Sequence, residues 1–460
     1  MNRCTPIAIL LGLALSATCL AQSTRFSSDF PSGSIGDIKA PLSDGEPWQL
    51  ALRDDNYDAS LPNNFRTWWY IRADDVDTTH DLTMAFTRIG WNYDFRPVYS
   101  YDNQTWHYFA DGETHFAPGC VISAPDTCRM TITKRFDHPT VWIARTFPYP
   151  LARLHGYLSS IERSPFVQRR IIGQSPVLGL PIEALTIANP YSFGRQRVVI
   201  HARTHAAETG SSYVLEGLIG ALLRDDDLGR SLRSRYVFNI VPMHNVDGVQ
   251  VGNYRTNATS LNLENRWFVD RDHDFPVHLL PSAPAESKVL NDYVFAPAVT
   301  NQMVPTVLAL NLHSSNSEAN TQAFFFPHFG NDPAKYTPSQ IALWHKQLDF
   351  IRSVASHYEG RIEQPSADGG AGFLNSAFME TWWWQHRQDG VNAITLETTY
   401  GRAGFDHWVT QDDLRMLGVA LARAIDDMDR PASRLFKAAR ADNVFRAPFN
   451  PEVYQNEEDH

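Results

Sequence analysis

Two histidines and two glutamates stand in this chain where they could build a hydrolytic metal site. His205 and Glu208 lie three residues apart just after the apolar run 198–200, and His313 follows a second apolar run, 307–312. A hydrolytic zinc ion needs three protein ligands and one open position for water, and two His with one Glu is an established ligand set. We predict that His205, Glu208 and His313 bind one zinc ion per chain. Glu397 also ends an apolar run, 391–397, and is predicted to be the general base that takes a proton from the attacking water.

The apolar runs before these residues are predicted to be strands of one sheet. In open α/β sheets, active sites lie beyond the carboxyl ends of the strands, so these side chains should meet at one edge. Each feature alone is weak, because an H-x-x-E pair arises by chance in many chains. A single His after a strand is also more often structural, and His201, His244 and His386 are interpreted in that way.

A longer motif lies between the first two ligands and the third. Residues 245–255, NVDGVQVGNYR in one-letter code, resemble NPDGVxxGNYR, the middle motif of the cytosolic carboxypeptidase branch of the zinc carboxypeptidase family. The order of all the motifs also resembles that family. The resemblance implies zinc-assisted hydrolysis of an amide bond, with Arg255 polarising the scissile carbonyl. A fixed cation at a developing oxyanion often contributes about 3–4 kcal/mol.

The next motif departs from the family pattern. Where the family has DLNRxW, whose Asn-Arg pair grips the C-terminal carboxylate of the substrate, this chain has NLENRW at 262–267. Without a gap, Asn262 replaces the Asp that orients a zinc-bound His, and Glu264 and Asn265 replace the carboxylate-binding pair. A one-residue bulge would instead restore Asn265 and Arg266 as that pair. We favour the ungapped register, because it keeps the Leu and Trp of the motif aligned.

Substrate recognition is therefore predicted to differ from that of the family. A carboxylate at Glu264 would repel a free C-terminus and would suit an ammonium, a guanidinium or a neutral amide. The region before the base strand forms the specificity pocket in relatives, and here it contains Trp382 and Trp384, one of which we predict to be a pocket wall. The family's mobile tyrosine has no clear counterpart. Tyr400 is the nearest after the base but is not at the matching position.

The N-terminus and the cysteines predict an exported protein. Residues 1–21 are typical of a secretory signal peptide, with Arg3 before an apolar stretch that is too short to span a bilayer. We expect a periplasmic or secreted protein without a membrane span. Cys120 and Cys128, eight positions apart in such a chain, predict a disulfide that contributes about 2–3 kcal/mol. Two free thiols, or half of a metal site, are the less favoured alternatives.

Composition and periodicity predict two domains and a tail. A net charge of -11 argues against nucleic acid as a partner. Residues 25–150 show short alternating strands between Asp, Asn and Gly turns, which predict an all-β sandwich similar to the β domain of the cytosolic carboxypeptidase branch. Residues 151–430 alternate strands and helices, including a closing helix capped by Thr410, and predict an α/β catalytic domain with a mixed, mostly parallel sheet flanked by helices. Residues 431–460 are predicted to be a wrapping or disordered tail.

These observations predict an exported zinc-dependent metallopeptidase of carboxypeptidase type, acting on a peptide or amide substrate. Two alternatives stay open. An amidase or aminopeptidase-like zinc hydrolase would recognise a positive or neutral group through Glu264. An inactive module would instead use its sandwich to bind a wall or glycan partner. The sequence does not indicate an oligomeric state.

Overall fold

A β-sandwich precedes an α/β region, which is the predicted fold class. The computed structural model describes residues 24–428 except 44, 122–123, 125–126, 194, 268–274, 316–317 and 366–376. The predicted signal peptide (1–21) and tail (431–460) lie outside the described residues. None of the described helices is long and apolar enough to cross a membrane.

The sandwich is built from short strands in two sheets that share one core. The strands are β1 (Arg25–Ser27), β2 (Ile38–Lys39), β3 (Trp48–Ala51), β4 (Tyr70–Asp74), β5 (Leu82–Thr87), β6 (Val98–Ser100), β7 (His107–Tyr108), β8 (Thr114–Phe116), β9 (Arg129–Lys134) and β10 (Val141–Ala144). One sheet has the order β1-β4-β10-β6-β7 and the other β2-β3-β5-β9-β8. Ile71 and Ile143 from the first sheet and Phe86 and Met130 from the second lie in one buried cluster. Alternate residues of each strand thus face the opposite sheet.

The α/β region contains one mixed sheet with a parallel centre. Its strands are β11 (Val167–Gln174), β12 (Pro181–Ile187), β13 (Gln196–Ala202), β14 (Tyr236–Val241), β15 (Thr306–Ser314), β16 (Phe324–Phe326) and β17 (Asn392–Thr398), in the order β11-β12-β14-β13-β15-β17-β16. The four central strands, β14, β13, β15 and β17, run parallel, and the outer strands β11, β12 and β16 pair antiparallel with their neighbours. β13, β15 and β17 are almost wholly buried, as expected for parallel strands covered on both faces.

Helices cover the sheet. They are α1 (Leu151–Ile161), α2 (Gly210–Leu223), α3 (Asp227–Arg235), α4 (Val246–Val251), α5 (Ala285–Leu290), α6 (Ala296–Thr300), α7 (Pro338–His357), α8 (Met379–Arg387) and α9 (Gln411–Asp427). Thr410 caps α9 through a capping box, as its sequence predicts. The axes of α2 and α9 approach closely, because a Cβ added at Gly217 would lie 2.0 Å from the Arg415 carbonyl oxygen.

Candidate active site

Two parallel strands deliver part of the site at the same height. His313 on β15 and Glu397 on β17 are register partners, and Asn311 and Thr395 form the pair two residues earlier. Because side chains alternate along a strand and neighbouring strands lie about 4.8 Å apart, all four project from one face near the carboxyl edge of the sheet.

The turn after β13 delivers His205 and Glu208. Arg203 stabilises this turn from a left-handed backbone conformation, with φ of 61°. Its buried guanidinium donates hydrogen bonds to Ala206 O, Tyr149 O (3.0 Å) and Ser212 Oγ (3.0 Å). The Ala207 N–H donates to Tyr254 O at 2.8 Å, so the turn is also bonded to the segment that carries the long sequence motif.

Three buried side chains converge on one point. His205 Nδ1 lies 2.7 Å from Glu208 Oε1, and His313 Nδ1 lies 2.8 Å from Glu208 Oε2. The two Nδ1 atoms are 3.1 Å apart, and Glu397 Oε1 is 4.0 Å from His313 Nδ1. Two imidazole nitrogens and a carboxylate suit zinc, whose tetrahedral ligand atoms lie roughly 3.3 Å apart. The residues present therefore fit a zinc ion.

The outer nitrogen of each imidazole faces an oxygen. His205 Nε2 lies 3.1 Å from Asn262 Oδ1, and His313 Nε2 lies 3.1 Å from Glu264 Oε2. The other oxygen of Glu264 accepts a hydrogen bond from Asn311 Nδ2 at 2.8 Å. A metal-binding His usually donates its second N–H to such an oxygen, which fixes the tautomer that leaves Nδ1 for the metal.

Two overlapping groups of described residues could share a cation, Glu208 with His313 and Glu397, and His205 with Glu264 and His313. The contacts of each group indicate on which side of His313 a cation would bind. Glu264 is already engaged by Asn311 and lies at Nε2 of His313, whereas both Nδ1 atoms and both oxygens of Glu208 face one another. The geometry therefore favours a cation on the Nδ1 side.

The charged groups of the site shift one another's pKa values strongly. Burial alone raises the pKa of Glu208, but His205 and His313 outweigh it and hold that pKa well below its ordinary value. Burial likewise raises the pKa of Glu264, and the charge of His313 more than reverses it, to about 2. Burial lowers the pKa of His313, whereas Glu264 and Glu208 raise it well above its ordinary value. Two carboxylates therefore lie on either side of His313, and each stabilises a positive charge at the position between them.

A pocket opens beside this cluster. It is lined by His205, Arg255, Glu264, His313, Phe326, His328, Phe378, Glu380, Thr395 and Glu397. Arg255 is close enough for its charge, after burial, to lower the pKa of His205. The five predicted ligands and catalytic residues, His205, Glu208, His313, Glu397 and Arg255, are thus brought together in the described structure.

Glu380 is a pocket residue that sequence reasoning did not identify. It lies in the first turn of α8, is buried, and accepts a hydrogen bond from the Thr395 hydroxyl. Burial, followed by the charge of Glu264, raises the pKa of Glu380 to about 7. An acidic residue in the first turn of a helix usually complements the helix dipole at the surface. The local sequence therefore gave no sign that this carboxyl is buried.

The remaining predicted substrate-binding residues are spread between core and surface. Trp382 lies in the core instead of the pocket wall, where it packs against Phe295 and Trp383. The reason is that α8 turns Glu380 towards the pocket and Trp382 towards Phe295 and the Pro276 carbonyl oxygen. Asn265 is half-buried and Arg266 is exposed, so position 264, and not 266, faces the pocket.

Other residues singled out in the sequence lie away from the pocket lining. The Tyr400 hydroxyl accepts a hydrogen bond from the Gly210 N–H at 3.3 Å, behind the ligand turn. Burial lowers the pKa of His201 to about 3 and that of His244 to about 4, so both are neutral core residues. Cys120 and Cys128 are joined in the sandwich, with Cα atoms 4.3 Å apart.

A buried His-Glu-His cluster at the carboxyl edge of a parallel sheet is typical of metal-dependent hydrolases. Comparison with known proteins narrows this class. The family model for zinc carboxypeptidases matches residues 155–325, and that for the cytosolic carboxypeptidase N-terminal domain matches residues 26–145. The chain thus carries a zinc carboxypeptidase domain, as its motifs predict, preceded by the N-terminal domain of the cytosolic carboxypeptidases.

Individual relatives agree with this assignment. The chain is 26% identical to cytosolic carboxypeptidase 3 of Mus musculus over 273 residues, covering 55% of this chain and 26% of that protein. It is 26% identical to cytosolic carboxypeptidase 6 of Caenorhabditis elegans over 347 residues, covering 72% of this chain and 71% of the relative. It thus spans about a quarter of the mouse protein. The crystal structure of a metallo-carboxypeptidase from Burkholderia cenocepacia shares the fold, with a TM-score of 0.69, 22% identity, and coverage of 88% of this chain and 99% of that one.

These comparisons contradict the predicted export. The N-terminal domain matches that of cytosolic carboxypeptidases, and the mouse and nematode relatives are cytosolic carboxypeptidases by name. The prediction of a periplasmic or secreted protein was wrong, and the relatives point to a cytosolic one. A charged residue followed by a short apolar stretch is a local pattern of composition, and it was given too much weight.

Proposed function

We propose that this chain is a zinc-dependent metallopeptidase of carboxypeptidase type. The observation that carries the proposal is the convergence of His205 Nδ1, His313 Nδ1 and the Glu208 carboxylate, 2.7–3.1 Å apart, beside a pocket that also holds Glu397 and Arg255. Metal ligands, a base and a fixed cation are the groups that hydrolysis of an amide bond requires.

The metal ligands are His205, Glu208 and His313, which hold one zinc ion per chain. Zinc, when bound, supplies a water of lowered pKa and an electrophile for a carbonyl oxygen. Asn262 Oδ1 and Glu264 Oε2 each lie 3.1 Å from the Nε2 atom of one imidazole, and oxygens in these positions favour the tautomer whose Nδ1 faces the metal position.

Proton transfer and charge stabilisation fall to two further residues. Glu397 is the general base, because its buried carboxylate lies on the pocket wall 4.0 Å from His313 Nδ1. It takes a proton from the attacking water and returns it to the leaving amine. Arg255 lines the same pocket, where its charge stabilises the oxygen of the scissile carbonyl as that oxygen becomes negative.

A second candidate function is a zinc hydrolase that selects substrates with a positive or neutral group. The carboxyl groups of Glu264 and Glu380 line one pocket, whereas Arg266, which the bulged register would use to bind a free C-terminus, is exposed. Such a pocket repels an anion and attracts an ammonium or guanidinium group. Because Glu264 also contacts Asn311 and His313, we propose that Glu380 binds the positive group of the substrate.

The test measures zinc content and turnover in the same samples. Zinc-loaded protein is given peptides that differ in the C-terminal residue (Lys, Glu or Leu) and in whether the C-terminus is free or amidated. Glu397→Gln should keep its zinc and lose turnover by orders of magnitude, whereas His313→Ala should lose both. Near-normal turnover in Glu397→Gln would contradict the base, and zinc binding without hydrolysis of any peptide would favour an inactive module.

The effect of Arg266→Ala on substrate preference decides between the two candidates. The first outcome to consider is a strong preference of the wild type for peptides with a free C-terminus. If Arg266→Ala abolishes that preference, Arg266 binds the substrate carboxylate, the bulged register is right, and the chain is an ordinary carboxypeptidase. A preference for C-terminal Lys that Arg266→Ala leaves unchanged supports the second candidate.

A further inference from the structure

The sandwich reaches into the site at the segment that carries Arg255. Residues 52–57, which follow β3, lie against residues 249–260, which comprise the end of α4 and the segment after it. Gly252, at the end of α4, has a φ of 73°, and a Cβ there would lie 2.2 Å from the Gly33 carbonyl oxygen. The Ser32 hydroxyl donates to Val249 O at 2.9 Å. The two regions are therefore in direct backbone contact at this point.

Asp55 is the centre of this contact. Its carboxylate accepts hydrogen bonds from three consecutive backbone N–H groups, Tyr254 (2.6 Å), Arg255 (2.9 Å) and Thr256 (2.8 Å), and from the Thr256 hydroxyl (3.1 Å). Asp55 is 3% exposed. Hydrogen bonds to a buried carboxylate are roughly twice as strong as neutral ones, so this side chain fixes the backbone of all three residues.

The neighbours of Asp55 bind the same segment through its carbonyl and amide oxygens. Arg53 donates to Val251 O (2.6 Å) and Gly252 O (2.7 Å), and the Asn56 N–H donates to Asn253 Oδ1 (3.1 Å). Residues 53–56 of the sandwich thus provide hydrogen-bond partners for both donors and acceptors of residues 251–256.

The segment also contacts the ligand turn and the pocket. Tyr254 donates its N–H to Asp55 and accepts at its carbonyl from the N–H of Ala207, which lies between the ligands His205 and Glu208. The side chain of Arg255 lines the pocket, and its guanidinium carbon lies 5.6 Å from the ring centroid of Phe65 in the sandwich. Whatever fixes the backbone of residues 254–256 therefore fixes the position from which the Arg255 side chain extends to the pocket.

Asp54 provides a comparison within the same turn. It is also buried, but its carboxylate pairs with Arg66 at 2.6 Å and Arg88 at 3.0 Å, both in the sandwich. Two adjacent buried aspartates thus have different partners. Asp54 stabilises its own region, and Asp55 bonds the segment that carries Arg255.

We infer that Asp55 is a positioning residue of the active site, which holds the backbone at 254–256 so that the Arg255 guanidinium points at the reacting carbonyl. The sandwich is then a part of the catalytic apparatus. This role rests on the proposed function, in which Arg255 stabilises the oxyanion.

The first experiment tests the contact without any substrate. Amide hydrogen exchange is compared in wild type, Asp55→Asn and Asp54→Asn. The Asn amide has one oxygen and one NH₂ group, so its NH₂ group must face the donor of Tyr254 or those of Arg255 and Thr256. Exchange of at least one of these three amides should therefore become about tenfold faster or more in Asp55→Asn, as expected when a protecting hydrogen bond is lost. Asp54→Asn should leave these amides unchanged. Unchanged protection in Asp55→Asn would overturn the inference.

A milder variant covers the case in which Asp55→Asn does not fold. Thr256→Val removes the hydroxyl contact to Asp55 and keeps the three backbone donors. It should accelerate exchange at 254–256 by a smaller factor, and protection equal to that of wild type would count against the inference.

The second experiment asks whether the positioning serves catalysis. In zinc-loaded protein, Asp55→Asn should lower kcat about 10- to 100-fold with zinc content and KM retained, because an oxyanion contact is made in the transition state alone. In an Arg255→Ala background, Asp55→Asn should have little further effect, since both changes remove the same interaction. A loss of equal size in that background would mean that Asp55 is merely structural and would refute the inference.

The results distinguish a failure of the proposed function from a failure of the inference about Asp55. Zinc-loaded wild type without turnover, together with faster exchange in Asp55→Asn, refutes the proposed function and leaves the Asp55 contact standing. Wild-type turnover that Asp55→Asn does not change refutes the positioning role and leaves the proposed function intact.

Discussion

Glu264 could orient a metal ligand or bind the substrate, and one substitution at this residue distinguishes the two roles. It lines the pocket, but its Oε2 lies 3.1 Å from His313 Nε2, and its Oε1 accepts a hydrogen bond from Asn311 at 2.8 Å. If Glu264 orients His313, Glu264→Gln should weaken zinc binding. A role confined to the substrate would instead leave zinc binding unchanged.

The substitution removes the charge and little else. The Gln oxygen can stay near His313 Nε2. Its NH₂ group can donate to Asn311 Oδ1, which is buried without a hydrogen-bond partner in the described structure, once the Asn311 amide rotates to exchange its Nδ2 and Oδ1 atoms. Outer-shell partners of metal ligands typically account for 10- to 100-fold in metal affinity, or about 1.4–2.8 kcal/mol. Glu264 and His313 are both buried, so water screens the interaction little, and we expect a loss of about 30- to 100-fold.

Asn262→Asp is the matched opposite. It places a carboxylate 3.1 Å from His205 Nε2, where the chain has an amide oxygen, and should tighten zinc binding by about tenfold. Zinc affinity is measured by competition between apo-protein and a chelating dye at neutral pH, with circular dichroism to verify folding. KM is measured for peptides with C-terminal Lys and Leu. An affinity of Glu264→Gln within about threefold of wild type, with a raised KM for the Lys peptide, would refute the orienting role.

Further predictions concern specificity, helix packing and the thiols. Since its pKa is raised to about 7, Glu380 is largely neutral at pH 6 and charged at pH 8, so the KM of a C-terminal Lys peptide should fall about tenfold between them. A Glu380→Gln variant with the same pH profile would contradict this. Gly217→Ala should lower the free energy of unfolding by about 3 kcal/mol, measured in urea. Gly220→Ala, on the same helix with nothing within 4 Å of the added Cβ, should raise it slightly. Non-reducing peptide mapping should find Cys120 linked to Cys128, with a loss of about 2–3 kcal/mol on reduction; separate peptides would contradict the bridge.

Local patterns predicted the elements that deliver the site. The apolar runs that end at His313 and Glu397 are the strands β15 and β17, and their polar ends mark the carboxyl edge of the sheet. The helix at 411–427 and its cap at Thr410 follow equally from local signals.

Residues whose role depends on distant contacts escaped prediction. Asp55 bonds the N–H of Arg255, 200 positions along the chain, and nothing around Asp55 in the sequence distinguishes it from its neighbour Asp54. Glu380 has the local signature of an exposed helix start, but it is buried and contacts Thr395, 15 positions along the chain. Trp382 was predicted to face the pocket, but the helix α8 carries it into the core.

The long motif at 245–255 is explained mainly by structural contacts. The Asn245 side chain accepts from the Gly248 N–H at 3.0 Å, which caps α4, and donates to Thr204 O at 3.2 Å, next to the ligand turn. The Asp247 carboxylate accepts from the Ser175 hydroxyl at 2.5 Å, at the end of β11. These contacts connect α4 to the turn that carries the metal ligands and to the edge of the sheet.

The second half of the motif connects the same helix to the sandwich. Gly252 must be Gly, because its backbone is left-handed and touches Gly33, and Asn253 pairs with Asn56. In the proposed reaction Arg255 alone contributes chemistry from this motif, and the preceding residues fix where its side chain points. The motif thus joins the ligand turn, the sheet and the sandwich, so a change at Gly252 or Asp55, neither of which lines the pocket, should still lower turnover through Arg255.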